Sequence, residues 1–131
     1  VMFLKGELEE EKENYLPDPV VVEIGGVKIF LSHGEIFSKY FEKFNTSPEN
    51  MLLQVIKKRH LSPTLQYNAK LDEEKLFLDD IPDIFVIGHF HNPRIINYKG
   101  VTFISLGSFI TQPVFFGINL KTRESIKIDL T

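Results

Sequence analysis

Apolar residues in this chain cluster in short blocks punctuated by Gly, Pro and Asp, and only two stretches carry them at helical spacing. Ile84-Phe85-Val86-Ile87 is too short for a helix, is β-branched and aromatic, and lies between Pro82 and Gly88, so it predicts a buried strand. Val20–Ile24 and Val27–Ser32 read as two strands joined by Gly25-Gly26, a two-residue hairpin signal. Lys28 breaks the apolar character of the second on one face. These three strands are too apolar to have one wet side. Arg94–Tyr98 and Val101–Ser105 flank Lys99-Gly100 and predict a second hairpin, and residues 114–120 and 125–130 predict a third around Lys121-Thr122. Residues 76–78 predict one more short strand. Ile36, Phe37, Tyr40, Phe41 and Phe44 define an amphipathic helix over 35–44. A second helix starts with Ser47 as N-cap and Pro48 in the first turn, and Met51, Leu52, Val55 and Ile56 form its core stripe. Residues 61–75 read as a polar surface connection. Residues 1–16, with an acidic run from Glu7 to Glu13, read as a poorly defined segment, a solvated loop or short helix.

Chemistry concentrates where strands end. The strand Val27–Ser32 runs into His33-Gly34, and Ile84–Ile87 runs into Gly88-His89-Phe90-His91. Side chains two apart on extended chain point the same way, so His89 and His91 can converge on one point at the strand's end. Gly88 lets the backbone approach something closely. Ligands of open α/β sheets bind at the carboxyl ends of strands, and neutral imidazole is a common ligand of Zn, Mn and Fe. Taken singly, His33 is as well explained as a cap or core histidine, and His89 and His91 as loop residues satisfied by carbonyls. The recurrence at two strand ends favours convergence. Three imidazoles can hold one divalent metal or parts of two. Two metals about 3.5–4 Å apart need a bridging anionic oxygen as well. Asp79, Asp80 and Asp83 precede their strand and read as turn residues, so the chain supplies part of such a site. At the end of the second helix, Lys57, Lys58, Arg59 and His60 complement the helix dipole. Lys58, Arg59 and His60 are also candidates for phosphate or nucleic-acid contact.

Composition narrows the setting. The 131 residues suffice for one domain spanning 1–131, and the chain lacks cysteine, which excludes disulfides and thiolate zinc sites and suits a reducing cytoplasm. No apolar run approaches a membrane span, so no membrane partner is expected. A net charge of −3 argues against bulk electrostatic binding of nucleic acid, leaving local contacts or a partner's.

His33-Gly34 and Gly88-His89-Phe90-His91, in this order and each after a strand, resemble the last two motifs of the calcineurin-like metallophosphoesterases. Lys58-Arg59-His60-Leu61-Ser62-Pro63, the run from Pro82 into the histidines, and Tyr98-Lys99-Gly100-Val101 narrow this to a resemblance to the small subunit of the archaeal family-D DNA polymerase. It covers about residues 16–112. The resemblance implies an α/β (α+β) fold, the C-terminal half of a four-layer metallophosphoesterase β-sandwich with flanking helices. It implies two divalent metal ions (Mn, Zn, Fe or Mg), with His33 and His89 as ligands of one and His91 of the other. The bridging Asp, an Asn ligand and the acid His belong to three motifs not found in this sequence, and are expected from an N-terminal half, on another chain or cut away. Phosphodiester hydrolysis as a 3'-5' proofreading exonuclease is implied, with DNA and the large catalytic polymerase subunit as further partners. Alone the chain is expected to be inactive, and to associate through the apolar faces of its three buried strands. Where the family has Thr-Trp after the last hairpin this chain has Ser108-Phe109, and Phe109 is expected to preserve the aromatic packing. The alternatives are a non-catalytic scaffold B-subunit of a replicative polymerase and another phosphoesterase of the superfamily.

Overall fold

A computed structural model of the chain describes residues 3–4, 15–35, 37, 47–58, 80–90 and 92–131. The expected connection 61–75, the strand 76–78, most of the helix 35–44, and Arg59, His60, Asp79 and His91 lie outside the described residues. The chain divides into two compact units, one formed by Val1–Gly34 with Pro82–Thr131 and the other by Glu35–Ile81.

The first unit holds nine strands among the described residues. Two short ones, β1 (Phe3–Leu4) and β2 (Tyr15–Leu16), pair in parallel. The acidic run Glu7–Glu13, expected as a solvated loop or short helix, lies outside the described residues. β3 (Val20–Ile24), β4 (Val27–Ser32), β5 (Ile84–Ile87), β6 (Arg94–Tyr98) and β7 (Val101–Ser105) form one sheet in the order β3-β4-β5-β7-β6. The Gly25-Gly26 and Lys99-Gly100 turns make β3–β4 and β6–β7 antiparallel, while the central β4–β5 and β5–β7 contacts are parallel. β8 (Val114–Ile118) and β9 (Ser125–Asp129) are a separate hairpin. β8 ends before the expected residue 120, because the Asn119 side chain accepts the amides of Lys121 and Thr122 and turns the chain.

The register sorts the sheet's side chains onto two faces. One carries Phe30, Phe85 and Phe103 in a row across β4, β5 and β7, all fully buried, with the Phe30 and Phe85 rings 5.2 Å apart. The other carries Val27, Ile84 and Ile104, against which Phe116, Ile118 and Leu120 of the hairpin region pack. A central strand covered on both faces explains why Ile84–Ile87 is an unbroken apolar run. The expectation that β5 presents an open apolar face is therefore not met: Ile84, Phe85 and Ile87 are each at most 1% exposed. Exposed large apolar side chains among the described residues are instead Val21 and Ile24 on the edge strand β3, Leu106, Phe109 and Ile110 after β7, Phe115 and Ile126 on the hairpin, and Leu130 beyond it. Phe109, expected to pack, is 59% exposed.

Asp83 closes the amino end of the sheet. Its amide donates to the Lys28 carbonyl, its carboxylate accepts the Lys28 amide, and its carbonyl accepts the Thr102 amide. The carboxylate also lies 3.6 Å from the Arg123 guanidinium. Asp83 is thus a structural turn residue at the end of β5 opposite His89, as its position before the strand implied.

In the second unit, α1 (Pro48–Lys58) begins where expected: the Ser47 hydroxyl accepts the Asn50 amide, and the Ser47 carbonyl accepts the Met51 amide. Met51, Leu52 and Val55 are buried, while Lys57 and Lys58 are exposed in the last turn. Cations there complement the partial negative charge of the helix end.

Candidate metal centre

Parallel pairing makes neighbouring strands finish at the same edge. Ser32 of β4 is in register with Ile87 of β5, and Ile87 with Ser105 of β7. The ladder continues beyond the strands, with the Gly88 amide donating to Ser32 O at 3.1 Å and the Leu106 amide to Ile87 O at 2.9 Å. His33 and His89 therefore emerge side by side from adjacent strands. Their rings are 5.4 Å apart between centroids and nearly perpendicular, at 79°. His89 is exposed and His33 partly so.

The two glycines of the motifs make this approach possible. A Cβ on Gly34, whose φ is +105°, would lie 2.6 Å from the Gly88 carbonyl oxygen and 2.7 Å from Ile87 Cγ2. A Cβ on Gly88 would lie 2.9 Å from the His33 carbonyl oxygen. The His-Gly and Gly-His turns are thus in backbone contact, and only hydrogen fits at both positions. His89 itself has φ +66°, and the Phe90 amide closes back on the Gly88 carbonyl at 2.8 Å. This three-residue turn with a non-glycine centre is strained by about 1–3 kcal/mol. It throws the imidazole out at the strand end, its ring edge-on to Phe90 at 5.7 Å.

Two more side chains shape the site, and neither stands out in the linear sequence. Asp18 accepts the Ser32 hydroxyl at 2.8 Å and the His33 amide at 3.1 Å, while the Ser32 hydroxyl oxygen accepts the Gly34 amide at 3.1 Å. The signal that finds Asp18 is the hairpin register. The Gly25-Gly26 turn pairs Ile24 with Val27 and Val20 with Leu31, and the same count sets residue 18 opposite residue 33. The Ser105 hydroxyl is buried beside Ile87 and has no hydrogen-bond partner among the described residues.

Of the sequence candidates, His33 and His89 are brought together, and His91 lies outside the described residues. Lys58 belongs to the other unit, and its neighbours Arg59 and His60 are also outside the described residues. Among the described residues no group of three or more His, Cys, Asp or Glu is arranged to hold a metal ion. Two convergent imidazoles fit as neutral nitrogen donors to a divalent transition metal, as part of a ligand set.

A parallel-stranded core whose carboxyl edge carries the His33-Gly34 and Gly88-His89 turns defines a class, and the chain belongs to the calcineurin-like phosphoesterase superfamily, whose domain model matches residues 2–116. Its relatives are more particular. It is 31% identical over 108 residues to the DNA polymerase II small subunit of Archaeoglobus fulgidus, covering 77% of this chain and 22% of that protein. It is 29% identical over 108 residues to the DNA polymerase II small subunit of Methanothermobacter thermautotrophicus, with the same coverage of 77% and 22%. The chain thus spans about a fifth of these relatives' length. Among solved structures it resembles Vps29 of Entamoeba histolytica complexed with Zn2+, at TM-score 0.57 and 18% identity, covering 100% of this chain and 69% of that one. It also resembles an archaeal phosphodiesterase, at TM-score 0.52 and 20% identity, covering 90% and 54%. Likeness at this identity speaks for the α+β metallophosphoesterase fold. Among the described residues no helix is long and apolar enough to cross a membrane.

Proposed function

We propose that this chain furnishes the C-terminal part of the two-metal centre of a phosphodiesterase domain, the 3'-5' exonuclease of an archaeal family-D replicative polymerase small subunit. The observation that carries the reading is the pair His33 and His89, delivered by adjacent parallel strands to one edge with rings 5.4 Å apart. The similarity to DNA polymerase II small subunits supports the setting.

In this reading His33 and His89 are ligands of one divalent ion and His91 of a second, each ion being Mn, Zn, Fe or Mg. Such an ion pair, when bound, supplies an activated water and neutralises charge on the phosphate oxygens. The chain's own residues fix the ring positions: β4 and β5 deliver the imidazoles, and Gly34 and Gly88 let the two turns touch. Imidazole nitrogens bring no negative charge to a metal, so the anionic ligand that two dications would need, with the Asn ligand and the acid His, would come from the N-terminal half of the small subunit. The large catalytic subunit and DNA complete the assembly, and Lys58, Arg59 and His60 are candidate phosphate contacts. Alone, the chain binds metal weakly and does not hydrolyse DNA.

The test is Mn-dependent digestion of a 3'-labelled oligonucleotide by the chain alone and by the chain co-expressed with an N-terminal half carrying the remaining motifs. Digestion only by the assembly, lost in H33A, H89A and H91A, is expected. Digestion by the chain alone overturns the shared site. An assembly that is stable, binds the large subunit and digests nothing makes the protein a scaffold.

A further inference from the structure

We infer that Asp18 is the positioning residue of the centre, a carboxylate that holds His33 at the strand end. The inference rests on the metallophosphoesterase reading for its consequence; its geometry stands independently.

Three facts carry it. First, both carboxylate oxygens are committed: Oδ1 accepts the Ser32 hydroxyl at 2.8 Å and Oδ2 the His33 backbone amide at 3.1 Å. Second, the Ser32 hydroxyl oxygen already accepts the Gly34 amide at 3.1 Å, so its own proton is directed to an acceptor. Two donors converge on residue 18, and an ionised carboxylate presents two acceptor oxygens and no donor. Third, Ser32 is 3% exposed, so without Asp18 a buried hydroxyl proton loses its partner. The relay thus fixes three consecutive residues, Ser32, His33 and Gly34. The last is the one whose backbone lies against Gly88.

The chemistry requires more of residue 18 than bulk. Asn keeps one acceptor and substitutes a donor, so it satisfies part of the relay; Ala satisfies none. Metal affinity is expected to fall in the order wild type, D18N, D18A, with D18A weaker by about ten-fold, as for other residues that orient a ligand. S32A should fall between wild type and D18A.

The experiment uses histidine-labelled protein, titrated with Zn2+ alone and followed through the His33 and His89 imidazole resonances. The contact between the two rings is measured separately in metal-free protein. N97A is the control, because it breaks a hydrogen bond from Thr102 on the far hairpin and lowers stability away from the centre. Support is a loss of ring contact and of affinity in D18A, partial in D18N and absent in N97A. Wild-type ring contact and affinity in D18A overturn the inference, as does an equal loss in N97A. If D18A does not fold, D18N and S32A decide, and wild-type ring contact in both overturns it. If Zn2+ fails to shift His33 and His89 together in the wild type, the metal reading fails, while ring contact in the metal-free variants still decides the role of Asp18.

Discussion

Replacing Gly34 with Ala should be far more damaging than its single added methyl group suggests. The residue has φ +105°, where L-residues are rarely found, and strain of that kind costs about 1–3 kcal/mol. The new Cβ would also sit 2.6 Å from a backbone oxygen and 2.7 Å from Ile87 Cγ2. Neither neighbour yields easily: Gly88 is tied to Ser32 by its amide, and Ile87 is fully buried in the central strand. Forcing atoms into a packed site adds about 1–3 kcal/mol, so G34A should lose about 4 kcal/mol, a large part of a typical domain's 5–15 kcal/mol. Gly100 provides the control. It has φ +79° and nothing within 4 Å of an added Cβ, so G100A incurs the backbone strain alone, about 1 kcal/mol. Urea unfolding of both variants, followed by circular dichroism, measures the difference. A G34A midpoint within about 1 kcal/mol of G100A would show that the two motif turns are not in backbone contact.

His89 lies at φ +66°, so H89G should exceed H89A in stability by about 0.5–1 kcal/mol, although both lose the ring; equal midpoints would contradict the strained turn. The Thr131 hydroxyl, its amide and the nearby Lys127 hold the exposed Asp129 carboxyl below the usual carboxylate range. Ionised Asp129 therefore favours the fold above the unfolded pKa, and this contribution disappears as pH falls through the lowered value. T131A should move the Asp129 NMR titration upward, and an unchanged titration refutes the assignment. Phe109 and Ile110 are 59% and 96% exposed, so F109S and I110S should each change stability by less than about 0.5 kcal/mol. A loss of more than about 1 kcal/mol in either would mean that this turn is packed.

Local pattern alone determined the elements that make the core. Ile84–Ile87 is a strand because four apolar β-formers between Pro82 and Gly88 have no other stable use, and α1 starts at Pro48 because Ser47 caps it. The Gly25-Gly26 and Lys99-Gly100 turns fixed two antiparallel pairs, since a two-residue turn leaves the flanking strands one register. The histidines were visible as strand-ending residues. What no local pattern holds is that β4 and β5, more than 50 residues apart in the chain, lie side by side and parallel, the arrangement that brings His33 to His89. The parallel order β4-β5-β7 depends on apolar faces being buried from both sides, a property of the assembled sheet. The commitment of both Asp18 oxygens and the contact between Gly34 and Gly88 likewise exist only after folding, because each depends on backbone groups from distant segments meeting within hydrogen-bond or van der Waals distance.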